Sequence, residues 1–138
     1  METFNYPVDC IILQPQEEVK EDNIDQAQES LCHVCGVITS IFVDKNIPHN
    51  LLMSDNGMSF YIIPRKWHPF EESKYASGFL DLSGIFHCFD EDDWKTTEFE
   101  DYSNWLKEHI TLNPDEFSQI KKDIIEKLET EYEGTVQS

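Results

Sequence analysis

Asn56-Gly57, set between two apolar runs, is the feature that most narrows what this chain can fold into. Asn and Gly both enter positive φ at low cost, and the type I′ turn they form matches the right-handed twist of paired strands. With a two-residue loop, Asp55 faces Met58, Met53 faces Phe60 and Leu51 faces Ile62 on one side of the ribbon. Leu52 with Tyr61 and Ser54 with Ser59 share the other side. Only this register gathers the larger apolar groups, because a slip of one residue turns every side chain over. Residues 50–54 and 58–63 are therefore predicted to pair as a tight antiparallel hairpin, with Pro64 ending its second strand.

The remaining elements are read from period and punctuation. Residues 7–14 are apolar and β-branched and stop at Pro15, which predicts a strand. Asp22 or Asn23 can cap a long helix, with Asp25 in the first turn where its charge meets the helix dipole. Ile24, Ala27, Leu31, Val34, Ile38 and Ile41 recur at steps of three and four, one apolar stripe on a helix ending near Asn46. Pro48 excludes its continuation. Residues 65–78 read as a loop and 83–89 as a further strand, followed by the acidic turn Asp90-Glu91-Asp92-Asp93.

Two helices are predicted beyond that turn. Thr97 to Glu100 has the form of a capping box, Thr at N-cap and Glu at N3, ahead of Phe99, Tyr102, Leu106 and Ile110 on one face. Asn113-Pro114-Asp115-Glu116 opens the second, whose stripe is Phe117, Ile120, Ile124, Ile125 and Leu128. Sequential hairpin strands with helices at the ends indicate an α+β domain: a mainly antiparallel sheet, one long helix and two C-terminal helices. A chain of 138 residues fits one domain, 4–132, with 133–138 as a flexible tail.

The formal net charge of −18 argues against two classes of partner. Phosphate binding is built on positive charge, so neither nucleic acid nor an anionic membrane is expected. No apolar run approaches the roughly 18 residues a membrane span needs. The first residues carry no basic, signal-type block, so a cytoplasmic setting with reduced thiols is expected.

Few residues then remain to carry chemistry. Cys32-His33-Val34-Cys35 has metal or redox spacing, but zinc takes four ligands and no second pair follows. It also falls inside the long helix, where two small semi-buried residues are the plainer reading, so neither metal nor cofactor is expected. Asp90 to Asp93 lacks the Gly and the spaced final Glu of a calcium loop. Arg65 and Lys66 leave the hairpin together, followed by Trp67 and His68. They are the densest positive point in the chain and the candidate site for a phosphate or nucleotide. The five histidines, His33, His49, His68, His87 and His109, are isolated from one another in sequence. His nucleophiles need close partners.

Particular stretches carry a resemblance. Asn5-Tyr6-Pro7-Val8, then Asn46-Ile47-Pro48-His49-Asn50-Leu51-Leu52-Met53-Ser54-Asp55-Asn56-Gly57, then Phe60-Tyr61-Ile62-Ile63-Pro64-Arg65 resemble the C-terminal part of the GDP-hexose phosphorylases, which include GDP-D-glucose and plant GDP-L-galactose phosphorylase. Leu82-Ser83-Gly84-Ile85-Phe86 is similar to the family's Glu-(Ile/Leu)-Ser/Ala-Gly-His segment. Asp101-Tyr102 and Leu112 to Phe117 fit its C-terminal pair of helices. The resemblance spans roughly 4–128.

It implies a histidine-triad-superfamily fold, one half of such a unit, and a nucleotidyltransferase of nucleotide-sugar metabolism. The implied reaction takes GDP-hexose and phosphate to GDP and hexose 1-phosphate. In the family a histidine of an upstream His-x-His-x-(His/Gln) motif takes up the guanylyl group, and that motif precedes the Asn-Tyr-Pro-Val stretch. It has no counterpart here, and the family's Gly-His is Gly84-Ile85, with Asp81 as the nearby acid. No catalytic residue carries over; only Arg65 matches a basic family position. The resulting expectation is an orphan or truncated C-terminal domain, inactive alone. Its partners would be GDP-hexose or guanine nucleotide in the intact family, and a second copy or another chain supplying the missing half. The alternatives are a non-catalytic interaction domain of the same fold and a CxxC metal or redox module.

Overall fold

The structure is a computed structural model that describes residues 8–67, 75, 88 and 90–136. Their order is β1 (Ile11–Leu13), α1 (Ile24–Asp44), β2 (His49–Ser54), β3 (Ser59–Pro64), α2 (Glu91–Thr96), α3 (Phe99–His109) and α4 (Pro114–Val136). This is the expected α+β arrangement. The three strands form one antiparallel sheet in the order β1-β3-β2. β3 takes the centre because its residues can be buried on both faces: all are buried except the half-buried Tyr61.

The hairpin register is the predicted one, with Leu51 opposite Ile62, Leu52 opposite Tyr61, Met53 opposite Phe60 and Ser54 opposite Ser59. Asn56 at φ 53°, ψ 37° and Gly57 at φ 84° have type I′ values. The Met58 N–H donates to the Asp55 carbonyl at 3.1 Å. One pair differs. Asp55 also has φ 53°, so the ladder closes at Ser54–Ser59 and not at Asp55–Met58. The Asp55 carboxylate accepts from Ser59 Oγ at 2.9 Å, a local bond that competes with strand pairing.

α1 is stopped by its own C-terminal corner before Pro48 is reached. Asn46 sits at φ 53°; its N–H donates to the Val43 carbonyl at 3.1 Å, and the Ile47 N–H donates to the Phe42 carbonyl at 2.8 Å. That bond pair is a Schellman motif with Asn in the left-handed position. At the other end, the Asn23 side chain accepts from the Lys20 N–H at 2.8 Å and so caps a 3₁₀ turn, Glu21–Asn23, rather than α1.

The C-terminal region holds one helix more than predicted. α2 occupies the expected acidic turn: the Asp90 side chain accepts from the Asp92 and Asp93 N–H groups at 2.8 and 3.3 Å. Its acids lie at the positive end of the helix dipole, so a run that reads as a solvated turn is also a good helix start. Thr97 caps the end of α2, its hydroxyl donating to the Asp93 carbonyl at 2.6 Å. The predicted capping box therefore moves by one residue, to Glu98 with Asp101, whose carboxylate accepts the Glu98 N–H at 3.0 Å. α4 starts as predicted, with Asn113 and Glu116 capping each other. The predicted strand at 83–89 lies outside the described residues apart from Cys88, which pairs with Tyr75 in an isolated bridge. Most of the predicted 65–78 loop lies outside them too.

The sheet buries both faces. Phe60 and Ile62 pack on one side against Leu31, Cys35, Ile38, Ile41 and Phe42 of α1 and Ile120 and Ile124 of α4. Ile63 packs on the other against Val8, Tyr75, Tyr102, Leu106 and Ile110. Burying a large aliphatic or aromatic side chain contributes about 1.5–3 kcal/mol, so these two clusters carry the fold. α1 and α4 are further joined by Lys45–Asp123 at 2.8 Å and Lys127–Ser40 at 2.7 Å. Among the described residues no helix is long and apolar enough to cross a membrane.

Candidate functional site

Arg65 is placed by the backbone as strand β3 ends. Its N–H donates to the Pro48 carbonyl at 2.8 Å, and it bridges Thr111 on its other side. Its guanidinium Nη1 donates to Asn50 Oδ1 at 3.1 Å across the sheet. Burial works against the charge and lowers the Arg65 pKa, with Tyr102 acting in the opposite direction. The next residue, Lys66, donates its N–H to the Ile110 carbonyl at 2.7 Å, and its Nζ reaches the Glu108 carbonyl oxygen at 3.4 Å. Trp67 follows with 76% of its surface exposed. Trp67 is therefore an open aromatic plate.

These three residues line a cleft of about 660 Å³. Its other walls are the Schellman corner, Lys45 to Pro48, and the start of α4 with Glu116, Ile120 and Asp123. The floor is largely apolar and the rim is charged with both signs. Lys45 holds Asp123, whose second oxygen accepts from Gln119 Nε2 at 2.9 Å. The hydrogen bonds from Lys45 and Gln119 keep the Asp123 pKa below its usual value, ahead of a smaller opposing effect of desolvation. The rim therefore presents Lys66 beside Trp67, with Arg65 set deeper and held by Asn50. A cation beside an exposed ring can hold a phosphate with one and stack a base on the other.

Arg65 and Lys66 both line this one cleft. It adds Lys45, Gln119 and Asp123, which no local pattern marked, because they reach the cleft only when α4 packs on α1. Three of the five histidines lie among the described residues. His33 is exposed on α1, and His49 packs at a tilt against Phe42 with ring centroids 5.2 Å apart and its Nδ1 3.1 Å from the Ile47 oxygen. His109 ends α3 beside Trp105. His68 and His87 lie outside the described residues. Cys35 is buried in the α1 stripe and Cys32 is exposed. Among the described residues no three His, Cys, Asp or Glu side chains are grouped as metal ligands.

A family model described as "GDPGP1-like, C-terminal domain" matches residues 1–131. No curated protein and no solved structure matches the chain.

Proposed function

The chain belongs to the GDPGP1-like C-terminal domain family, the C-terminal domain of GDP-hexose phosphorylase-like proteins, and from that premise we propose that it is the nucleotide-facing C-terminal part of a histidine-triad-type nucleotidyltransferase. In the intact reaction a histidine attacks the α-phosphorus of GDP-hexose and hexose 1-phosphate leaves. Phosphate then attacks the guanylyl-histidine, and GDP leaves with the histidine restored. This domain supplies the cleft at Arg65, Lys66 and Trp67 for the phosphate or guanine of that substrate. The nucleophile is assigned to another segment, the family's upstream histidine motif, which has no counterpart in this sequence. The four unpaired cysteines suit a reducing compartment such as the cytoplasm.

The observation that carries this reading is Lys66 and Trp67 side by side on the rim of the cleft, in a chain whose net charge of −18 repels phosphate elsewhere. Titration calorimetry with GDP, GDP-glucose and phosphate tests it. Binding is expected in the wild type and lost in the paired variant Lys66→Glu, Trp67→Ala. Both side chains are at least partly exposed, so the variant should keep its fold. Binding that survives places the site elsewhere. With GDP-glucose and phosphate the chain alone is expected to give no sustained release of GDP. Sustained release abolished by a single His→Ala change overturns the assignment of the nucleophile to another segment.

A second reading, an interaction domain of the same fold, is favoured by one observation. Among the described residues β2 lies at the edge of the sheet, with Leu51 and Met53 exposed.

A further inference from the structure

We infer that Asn56 is a self-modification site: it loses its side-chain nitrogen through attack by the Gly57 backbone nitrogen, and the hold of Gln28 on the hairpin tip sets the rate. The inference concerns only described residues and is independent of the nucleotide cleft.

The chemistry follows from the dipeptide. Of the chain's seven asparagines only Asn56 precedes a glycine. A glycine carries no Cβ, so its nitrogen is the least hindered backbone nucleophile a chain offers. That nitrogen attacks Asn56 Cγ and gives up its proton. The bond from Cγ to the side-chain nitrogen breaks, ammonia leaves, and a five-membered succinimide remains. Water then opens the ring. Cleavage at the side-chain carbonyl gives aspartate in the ordinary chain; cleavage at the main-chain carbonyl gives isoaspartate. Asn56 is exposed, so water has access to the ring.

The closed turn does not permit the first step. Ring closure needs the Gly57 nitrogen and the Asn56 Cβ on the same side of the Asn56 Cα–C bond. At ψ 37° the two lie on nearly opposite sides, and the Asn56 carbonyl oxygen takes the place the nitrogen must reach. The peptide between Asn56 and Gly57 has to swing over before the nitrogen meets Cγ. The oxygen that must move is the one Gln28 Nε2 holds at 2.7 Å. Gln28 is therefore a latch on the reacting peptide itself, and reaction proceeds from a locally opened tip.

The two products differ in what they do to the fold. Aspartate tolerates the left-handed conformation much as Asn does, so it keeps the turn and adds one negative charge beside Asp55. Isoaspartate routes the main chain through the former side-chain carbon and lengthens a turn whose loop is two residues. The oxygen that Gln28 holds then leaves its place, and the tie between α1 and the hairpin is lost.

Timed incubation of the full chain at mildly alkaline pH tests the proposal. Peptide mass spectrometry with fragmentation reads the conversion at Asn56, and enzymatic methylation of isoaspartyl groups reads the second product. The folded wild type should react about tenfold or more slowly than the same chain in guanidinium. Gln28→Ala should react about fivefold faster than the folded wild type, the population shift that loss of one hydrogen bond gives. Lys127→Ala removes a hydrogen bond of the same rank between α4 and α1, and should leave the rate at Asn56 unchanged. An unfolded chain that stays intact at Asn56 overturns the assignment of the site. A folded wild type as fast as the unfolded chain overturns the protection by the turn. A Gln28→Ala variant that reacts at the wild-type rate, or that Lys127→Ala matches, overturns the latch.

Discussion

Gln28, in the second turn of α1, donates from its side-chain amide to the main-chain oxygen of Asn56 at 2.7 Å, tying the first helix to the tip of the hairpin. A single hydrogen bond of this kind contributes about 1 kcal/mol. Gln28→Ala should lower the urea unfolding free energy by that amount. An unchanged midpoint and slope would show that the tie is not made in solution.

Gly57→Val should be worse. Gly57 sits at φ 84°, and a Cβ there would lie 3.2 Å from Gln28 Nε2. The conformational part alone costs about 1–2 kcal/mol. In a Gln28→Ala background the crowding is gone, so the penalty of Gly57→Val should shrink. A double-mutant cycle with zero coupling would contradict the contact.

Asn46 offers a paired test of the corner that ends α1. Asn46→Gly keeps the left-handed conformation available and should change stability by only a few tenths of a kcal/mol. Asn46→Val forces a β-branched residue into it, at about 1–2 kcal/mol. Equal effects of the two substitutions would remove the Schellman corner as the cause.

The Asp123 pKa is held low in the fold by Lys45 and Gln119. A group whose folded pKa is depressed adds stability above its unfolded pKa and loses it as pH falls through the folded one. The Lys45–Asp123 pair is thus fully effective at neutral pH and fails in the acid range, below the usual aspartate pKa. Lys45→Ala should raise the Asp123 titration midpoint in a carboxyl NMR titration and move acid unfolding to higher pH. A midpoint that does not move would show that Lys45 does not set it.

The cysteines should differ in reactivity. Burial pushes the Cys10 thiol up to about 11, more than the opposing backbone bond from Ile62 relieves. Burial raises Cys35 too, with a smaller push from Cys32. Under native conditions at mildly alkaline pH, iodoacetamide should label exposed Cys32 first, and Cys10 and Cys35 only on unfolding. Early labelling of Cys35, read by peptide mass spectrometry, would contradict its place in the α1 core stripe.

The hairpin register was legible because alternation and Asn-Gly specify it locally, and the α1 stripe because its period is helical over many turns. Leu31, Ile38 and Ile41 are core residues as read, and Asn113 with Glu116 caps α4 as read. The misses have specific causes. Asp55 left the strand for a bond to Ser59. Thr97 has the spacing of an α3 cap, but its hydroxyl serves α2 instead. Asp90 to Asp93 reads as a turn by composition, and only the Asp90 cap shows it to be a helix start. Of the cleft, Arg65, Lys66 and Trp67 were visible because they are consecutive. Lys45, Gln119 and Asp123 were not, since tertiary packing alone gathers them.

The pairing of α1 with α4 also sets an order of events during synthesis. The core stripe of α1 ends at Phe42, while Ile120 and Ile124, which complete its cover, are made more than seventy residues later. A nascent chain leaving the ribosome therefore carries Leu31, Ile38 and Phe42 only partly covered, by the hairpin, until α4 emerges. For that interval the hairpin and α1 are a partial core, and the abundant acids keep neighbouring nascent chains apart by charge. Pausing translation ahead of Pro114 would lengthen the period in which this domain is most exposed to misassembly.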